Sequence, residues 1–239
     1  MNRKIALAIQ FWDGDREAAM RNLKRIADIE PIFRSDVEVL LVCRFDSSHD
    51  EKAVEYASKK FKVSTYVSPR RGKGWPYGCN DLWSETMSES YRRVRSGEWS
   101  DVKALYTMEA DCIPISRTWL NRLHKEWDAT EREGKWMTGC VASWNGNPDD
   151  LHLNGNGLFH PHLMHFIPKI VGGPANLAWD VYFAKEFRPH WRATGFMANL
   201  YNARNVSHED LQALKDAGTE VVHGVKDLSV ELFADATLR

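Results

Sequence analysis

Two carboxylates stand one residue apart at the end of the apolar run LYTMEAD, residues 105–111. In an extended segment residues i and i+2 point the same way, so Glu109 and Asp111 can converge on one cation beyond the end of a strand. Open α/β sheets bind their ligands at that edge. Carboxylates hold Mg²⁺ or Mn²⁺ while phosphate oxygens and water take the remaining coordination positions. The triplet therefore predicts a cation site for a diphosphate, although a solvated turn has the same pattern.

The elements that must position this pair alternate between strands and helices. Apolar runs rich in Ile, Leu and Val are typical of parallel strands covered on both faces, and helical spacing between them predicts amphipathic helices. Strands are predicted at Lys4 to Trp12, Val37 to Phe45, Val63 to Val67, Ala104 to Met108 and Met137 to Trp144. Helices are predicted between the first two strands, near Asp50 to Lys60, from about Asn80 to Arg95, after an N-cap at Ser116, and after a capping box of Ser207 and Asp210. The alternation predicts an α/β fold.

Composition restricts the class of protein. Hydrophobic residues are 43% and charged residues 27% of the 239 residues, as in ordinary globular domains, and no repeat or linker divides them. The 32 basic and 33 acidic residues nearly cancel, so no global field attracts nucleic acid or a membrane surface. No apolar run approaches the roughly 20 residues of a membrane span, and the first apolar run is too short for a signal peptide. We expect one domain, located in the cytoplasm.

Local groups of residues leave more than one interpretation open. The segment SPRRGKGWPYGCN, residues 68–80, combines glycines, three cations and two aromatic residues, and is typical of either a phosphate-binding or acceptor-binding loop or a solvated loop. The four cysteines form no C-x-x-C pair and are interpreted as reduced thiols. His152, His160, His162 and His165 match no zinc-ligand spacing. A local strip for nucleic-acid phosphates would consist of Arg70, Arg71, Lys73, Trp75, Arg92, Arg93 and Arg95.

Four features follow one another along the chain: Glu109-Ala110-Asp111, the segment NGNG at 154–157, Asp180 after Trp179, and His223 followed by Lys226. In this order they resemble the GT-A glycosyltransferases, which carry a D-x-D-type triplet, a glycine-containing acceptor loop, an x-E-D-type acid and a histidine near the C-terminus. The resemblance implies a GT-A (Rossmann-like) mixed sheet with flanking helices in a single domain. Residues 1–115 would bind the nucleotide sugar, and residues 116–239 would form the acceptor side.

The resemblance also implies a role for each matched residue. Glu109, Asp111 and His223 would bind Mn²⁺ or Mg²⁺, and Lys226 would pair with the diphosphate. Asp180 would be the general base of an inverting transfer. The acceptor would meet Asn154, Gly155, Asn156, Gly157 and Trp179, and the nucleotide would meet Gln10, Phe11, Trp12, Asp46 and Arg71. Two positions depart from the family pattern, because Glu109 replaces the first Asp of the triplet and Trp179 replaces the glutamate of x-E-D.

The predicted function is transfer of a hexosyl or pentosyl group from a nucleotide-diphosphate sugar to an acceptor hydroxyl. Asp46 could accept a hydrogen bond from a uracil imide, which favours a UDP-sugar donor. The acceptor is predicted to be a saccharide or a hydroxymethylated DNA base, the latter as in some compact viral glycosyltransferases. A nucleotidyltransferase and a non-catalytic sugar- or nucleic-acid-binding relic of the fold are alternatives. The absence of G-x-S-x-G and G-x-G-x-x-G disfavours hydrolases and dinucleotide-binding dehydrogenases.

Overall fold

The first part of the chain forms parallel strands joined by helices. The structure is a computed structural model that describes residues 3–143, 146–147, 150–163 and 177–238. Strand β1 and strand β2 are buried along almost their whole length, as expected for strands covered on both faces. The elements of this part are β1 Lys4–Phe11, α1 Arg16–Ile29, β2 Val37–Arg44, α2 Glu51–Ser58, β3 Lys62–Ser68, α3 Tyr77–Arg95 and β4 Val102–Glu109.

The second part of the chain contains shorter strands and helices. Helix α4 places Leu120, Leu123 and Trp127 on its buried face, in agreement with their helical spacing. The elements of this part are β5 Ile113–Pro114, α4 Trp119–Arg132, β6 Met137–Ser143, β7 Leu151–Phe159, α5 Trp179–Tyr182, α6 Ala184–Phe187, β8 Trp191–Ala193, β9 Met197–Ala203, α7 His208–Asp216, β10 Val221–Val225 and α8 Ser229–Thr237.

Both parts contribute to one mixed sheet of seven strands in the order β3-β2-β1-β4-β7-β6-β8. Strands β3, β2, β1 and β4 are parallel, whereas β7 is antiparallel to both β4 and β6. A second sheet has the order β5-β10-β9. The carboxyl ends of β1, β2 and β4 therefore meet at one edge, and the second sheet begins directly beyond the end of β4.

The two faces of the large sheet carry separate cores. Along β1, Leu7 and Ile9 pack into the core that includes α1 and α4, whereas Ala6 and Ala8 face the core that includes α3. This alternation follows from the two-residue period of a strand. Small residues on the α3 side leave room for the indole of Trp83, which is 2% exposed. Among the described residues, no helix is both long enough and apolar enough to cross a bilayer.

The segment Asn154–Gly157 corrects one prediction, because it belongs to the central strand β7 and is not a loop. The resemblance assigned this segment to a loop, and its glycine and asparagine residues are uncommon in strands. The glycines serve close packing here. A Cβ on Gly157 would lie 3.0 Å from the carbonyl oxygen of Thr138, and one on Gly155 would lie 3.2 Å from the indole of Trp179.

The beginnings of two helices test the capping predictions. Ser207 caps α7 as predicted, since its side chain accepts a hydrogen bond from the backbone N–H of Asp210. The prediction for Ser116 was wrong, because α4 begins at Trp119 and the hydroxyl of Ser116 instead accepts from the N–H of Thr118. Trp144, the predicted end of β6, lies outside the described residues, as does His165.

Candidate active site

Three side chains meet where β4 ends. Glu109 is the last residue of β4, Asp111 follows in a turn, and His223 lies on β10. The Nε2 atom of His223 is 3.2 Å from Oε2 of Glu109 and 3.3 Å from Oδ1 of Asp111. One ligand atom from each residue lies within 4.8 Å of the other two. These three residues, the metal corner, could hold one cation together.

The metal corner depends on two local features. The extended geometry expected for the triplet is wrong for Asp111, because a turn closed by the N–H of Cys112 on the carbonyl of Glu109 brings the two carboxylates together. Strand β10 then pairs antiparallel with β5, with Val222 opposite Ile113. That register places the next residue, His223, beside the turn.

Opposing electrostatic effects act on the metal corner. Burial lowers the pKa of His223, but hydrogen bonds to the carboxylates of Asp111 and Glu109 outweigh it and raise the pKa to about 9. The pKa of Asp111 is held well below its usual range, because hydrogen bonds from His223 and Lys226 overcome the cost of burial. Two carboxylates and one imidazole are a donor set that suits Mn²⁺, and the two carboxylates alone would suit Mg²⁺. The residues present therefore fit the metal that the resemblance implies.

Lys226 stands beside the metal corner. Its Nζ atom donates to Oδ2 of Asp111 over 2.6 Å, and this hydrogen bond outweighs burial and raises the pKa of the ammonium. The side chain remains 42% exposed and also lines both cavities described below. The ammonium of Lys226 thus faces the space next to the metal corner, where it would attract a phosphate group.

A cavity of about 360 Å³ opens between the ends of β1, β2 and β4 and the start of α3. Its walls combine the apolar side chains of Leu82, Trp83 and Trp179 with the polar groups of Gln10 and Arg44. Trp12 is 46% exposed at its rim, and the guanidinium of Arg44 lies 5.0 Å from the centroid of the Trp12 ring. We call this space the donor cavity, after the ligand that the sequence resemblance leads us to expect there. Its size is in the range of small-molecule sites.

Asp15 also lines the donor cavity and accepts a hydrogen bond from the backbone N–H of Trp12 over 2.7 Å. Burial, assisted by the charges of Glu109 and Asp111, raises its pKa from near 3.8 to about 6. The carboxyl therefore binds more protons in the folded than in the unfolded chain, and its contribution to stability falls as the pH rises from about 4 to 6.

The replacement Asp15→Asn is expected to raise the melting temperature of the metal-free protein at pH 7.5 by a few degrees. Asparagine keeps the acceptor for Trp12 and removes the charge that burial disfavours. The gain should shrink at pH 4.5, where the native carboxyl is mostly protonated. Thermal melts of both proteins at the two pH values measure this. An equal gain at both would contradict the pKa assigned to Asp15.

A second cavity of about 470 Å³ adjoins the first at Glu109, Trp179 and Lys226. Asp180 lines it, together with His152, Asn154, Asn199 and Tyr201. We call this space the acceptor cavity, after the ligand that the sequence resemblance leads us to expect there. The two cavities meet beside the metal corner, so groups bound in them would face each other there.

The position of Asp180 is set by its neighbours on β7 and α3. Its carboxylate accepts from the backbone N–H of Gly155 over 3.2 Å and from that of Val181 over 3.0 Å. The preceding Trp179 stacks on Trp83, with ring centroids 3.5 Å apart, and donates its backbone N–H to Asn80. Trp179 therefore anchors Asp180 at the edge of the acceptor cavity, and its indole is mostly buried.

Burial raises the pKa of Asp180 above its ordinary value, against the opposing effect of His152. A carboxylate with a raised pKa is a stronger base while it remains ionised near neutral pH. Perturbed carboxyl groups in cavities are frequent at catalytic sites. Asp180 could therefore accept a proton from a group bound in this cavity.

The predicted site residues divide into two groups. Those around the cavities are Gln10, Trp12, Glu109, Asn154, Gly155, Trp179, Asp180, His223 and Lys226, with Asp111 in the metal corner. The described linings of the two cavities do not include Phe11, Asp46, Arg71, Asn156 or Gly157.

The residues of the second group have other contacts. Phe11 is 1% exposed in the core. Asp46 pairs with Arg44 over 2.6 Å and with Lys73 over 3.4 Å, and Arg71 lies over the ring of Phe45. Asn156 is buried and accepts a hydrogen bond from the N–H of Glu109, so it orients the end of β4.

Sequence reasoning missed several residues of the cavities. Arg44 ends β2 at the same edge as Glu109, so its place at a strand end was a usable signal. Asp15 directly precedes α1, where an aspartate is typical of a helix start and indicates no ligand. Tyr201 and Asn199 carried no recognisable pattern, since they reach the acceptor cavity only through the second sheet.

The local basic strip is largely neutralised within the fold. Arg70 pairs with Glu85 over 2.6 Å. Arg92 and Arg93 share Glu89, at 2.6 and 2.7 Å, and Arg93 is buried. With Lys73 held by Asp46, four of the six proposed cations have carboxylate partners. This arrangement offers little free positive charge to a phosphate backbone.

Comparisons with known proteins give structural relatives only. No protein-family model and no curated protein matches the sequence. Among solved structures, the mannosyltransferase PcManGT of Pyrobaculum calidifontis, in complex with GDP-Man and Mn²⁺, matches with a TM-score of 0.52 and 14% identity over 81% of this chain and 54% of its own. An active-site mutant of LgtC matches with a TM-score of 0.56 and 11% identity over 96% of this chain and 94% of its own.

A third match is a fragment of S. aureus TarS in complex with UDP-GlcNAc, with a TM-score of 0.50 and 12% identity over 80% of this chain and 56% of the fragment. The chain thus spans about half the length of the mannosyltransferase and of the TarS fragment. Identities this low show the fold alone. The predicted mixed sheet with flanking helices is confirmed, and it is the GT-A fold of these glycosyltransferases.

Proposed function

We propose that this chain is a divalent-metal-dependent glycosyltransferase that moves a hexosyl or pentosyl group from a nucleotide-diphosphate donor to an acceptor hydroxyl, with inversion. The observation that carries the proposal is the convergence of Glu109, Asp111 and His223 between two adjoining cavities, with Asp180 in the second. A non-catalytic relic of the fold has no need to keep a cation site and a buried carboxylate in this arrangement.

The donor would occupy the first cavity with its diphosphate at the metal corner. Glu109, Asp111 and His223 would hold Mn²⁺ or Mg²⁺, which stabilises the negative charge of the leaving nucleoside diphosphate when bound. Lys226 would add a second positive charge beside the phosphates. Trp12 offers an aromatic face to the nucleotide base at the rim, and stacking tolerates any base. The expected uracil contact of Asp46 does not support a UDP-sugar in particular, because Asp46 is paired with Arg44 and lines neither cavity.

The transfer would proceed in one displacement. A hydroxyl in the acceptor cavity attacks the anomeric carbon as its bond to the diphosphate oxygen breaks, and the electron pair of that bond leaves with the diphosphate. Asp180 takes the hydroxyl proton, for which it must lie within hydrogen-bond reach of the attacking oxygen. Asp180 is held by backbone N–H groups, so its carboxylate is positioned before the substrate arrives. The acceptor would be a saccharide or a hydroxymethylated DNA base.

A donor screen tests the proposal. Hydrolysis of UDP-, GDP- and CMP-sugars by water is measured with Mn²⁺, with Mg²⁺ and with a chelator, alongside the thermal shift caused by each nucleotide diphosphate. We expect hydrolysis and a thermal shift for at least one sugar nucleotide, both lost with the chelator. A nucleotidyltransferase would instead release pyrophosphate from a nucleoside triphosphate. Failure to hydrolyse any nucleotide sugar under all metal conditions would sink the enzymatic proposal.

A further inference from the structure

The acceptor cavity combines flat rings with hydrogen-bonding side chains. Trp75 and Tyr201, which are 56% and 48% exposed, both line it. The polar part of the lining includes the amides of Asn154 and Asn199 and the imidazole of His152. A sugar ring presents an apolar C–H face that packs on aromatic rings, and an edge of hydroxyl groups that needs such polar partners.

Tyr201 stands out in this lining because its hydroxyl has no hydrogen-bond partner among the described residues. Burial raises the pKa of the Tyr201 phenol, and the charges of Cys140 and Asp180 raise it further. Tyr201 and Asp180 line the same cavity. A molecule bound there could therefore offer one hydroxyl to Asp180 and a neighbouring one to Tyr201.

The backbone that presents Tyr201 is unusual. Tyr201 and Asn202 have φ angles of 41° and 60°, a left-handed conformation that bulky side chains rarely adopt. Gly224 makes it possible, since a Cβ at this residue would lie 2.8 Å from Oδ1 of Asn199 and 3.0 Å from the backbone nitrogen of Tyr201. Gly224 directly follows the metal-corner residue His223 on β10. The pairing of β10 with β9 shifts register between His223 and Val225, and Tyr201 lies in the bulge of β9 opposite this shift. Strand β10 therefore positions both the metal corner and Tyr201. Such conformations occur preferentially at functional sites.

The charges of the proposed basic strip discriminate between the two acceptor classes. Arg70, Lys73, Arg92 and Arg93 are paired with carboxylates. The net charge of the chain is −1. A DNA duplex would need unpaired cations along its phosphates, whereas a neutral saccharide needs only the rings and polar groups already described.

We propose that the acceptor is a saccharide and that Tyr201 is the residue that binds it, packing its ring against a sugar ring and hydrogen-bonding the hydroxyl next to the one that Asp180 deprotonates. This inference rests on the proposed glycosyl transfer. It adds the acceptor class and a residue that no sequence pattern indicated.

The test uses the donor found in the screen and a panel of probes: methyl glucoside, methyl galactoside, N-acetylglucosamine, lactose, and a DNA duplex containing 5-hydroxymethylcytosine. We expect transfer to at least one saccharide.

Tyr201→Phe should raise the KM for that saccharide about tenfold, because one hydrogen bond is lost, and Tyr201→Ala should raise it about thirtyfold or more. In both variants the ratio of glycosyl transfer to donor hydrolysis should fall as the saccharide KM rises. Tyr56→Ala is the matched control, since Tyr56 is an exposed tyrosine on α2 whose hydroxyl bonds to Asp28.

Several results would overturn the inference. Transfer to the modified duplex alone would refute the saccharide acceptor, as would donor hydrolysis without transfer to any saccharide of the panel. A saccharide KM in Tyr201→Phe and Tyr201→Ala within twofold of that of the unmodified protein would remove Tyr201 from the acceptor site. A merely structural role of Tyr201 would alter donor and acceptor KM together. Absence of any turnover by the unmodified protein would instead refute the proposed function itself.

Discussion

Asp111→Asn is expected to reduce metal-dependent hydrolysis of the donor by about 10²–10³-fold, the range typical for removing one preorganised electrostatic contact at a developing charge. The carboxylate is the one member of the metal corner that contacts both His223 and Lys226. Asparagine is nearly isosteric but carries no charge, so it weakens cation binding and leaves the ammonium of Lys226 without its carboxylate partner. The measurement is the rate of nucleotide-sugar hydrolysis across a Mn²⁺ titration.

The control for this replacement is Asp216→Asn, which changes the same side chain on the exposed surface of α7. It should retain the rate of the unmodified protein. The Mn²⁺ concentration at half-maximal rate should rise in Asp111→Asn, and a thermal melt of the metal-free variant separates this effect from misfolding. A rate within threefold of that of the unmodified protein at the same Mn²⁺ concentration would mean that Asp111 does not bind the catalytic metal.

Asp180→Asn is expected to reduce the rate of glycosyl transfer by about 10²–10⁴-fold, the range typical of a general base. Asparagine can still accept one of the two backbone hydrogen bonds, from Gly155 or Val181, but it cannot take a proton from the attacking hydroxyl. The measurement is kcat for transfer to the saccharide found above. The thermal shift produced by the donor nucleotide should fall far less than the rate, because Asp180 lines the acceptor cavity.

The pH dependence gives a second readout for Asp180. Burial raises its pKa, and the base must be ionised to act, so transfer should rise with pH through the raised pKa and lose about tenfold per pH unit below it. This ionisation should disappear from the profile of Asp180→Asn. The control Glu186→Gln, on the exposed face of α6, should keep the profile of the unmodified protein. An unchanged profile and rate in Asp180→Asn would assign the base to another group.

The parallel half of the fold was predictable because its signals are local. Burial on both faces requires continuous apolar runs, and these identified β1, β2 and β4 to within about two residues. Strand β7 was not predictable in the same way. Its Asn and Gly residues disfavour a strand, and they are tolerated because neighbouring backbone and the Trp179 indole approach them closely.

The metal corner likewise combines residues that local sequence signals identify with one residue that depends on long-range pairing. Glu109 and Asp111 were identifiable because they follow an apolar strand, and sheet edges of this kind bind ligands. His223 was assigned by resemblance, and it reaches the corner through the pairing of Val222 with Ile113. Such a pairing joins residues more than 100 positions apart. Its register depends on the packing of the whole second sheet, which no local pattern specifies.

The sequence by itself determined the alternation of strands and helices and the acidic strand end, and the family resemblance supplied the candidate base Asp180. Local propensity and hydrophobic period are properties of short segments, so they can be interpreted without the fold. Only the tertiary structure decided that Asn156 is buried and accepts a hydrogen bond from the N–H of Glu109, and that Asp46 is held by Arg44. It also brought Tyr201 to the cavity that Asp180 lines. These outcomes depend on long-range contacts, whose geometry is fixed when the two sheets pack together.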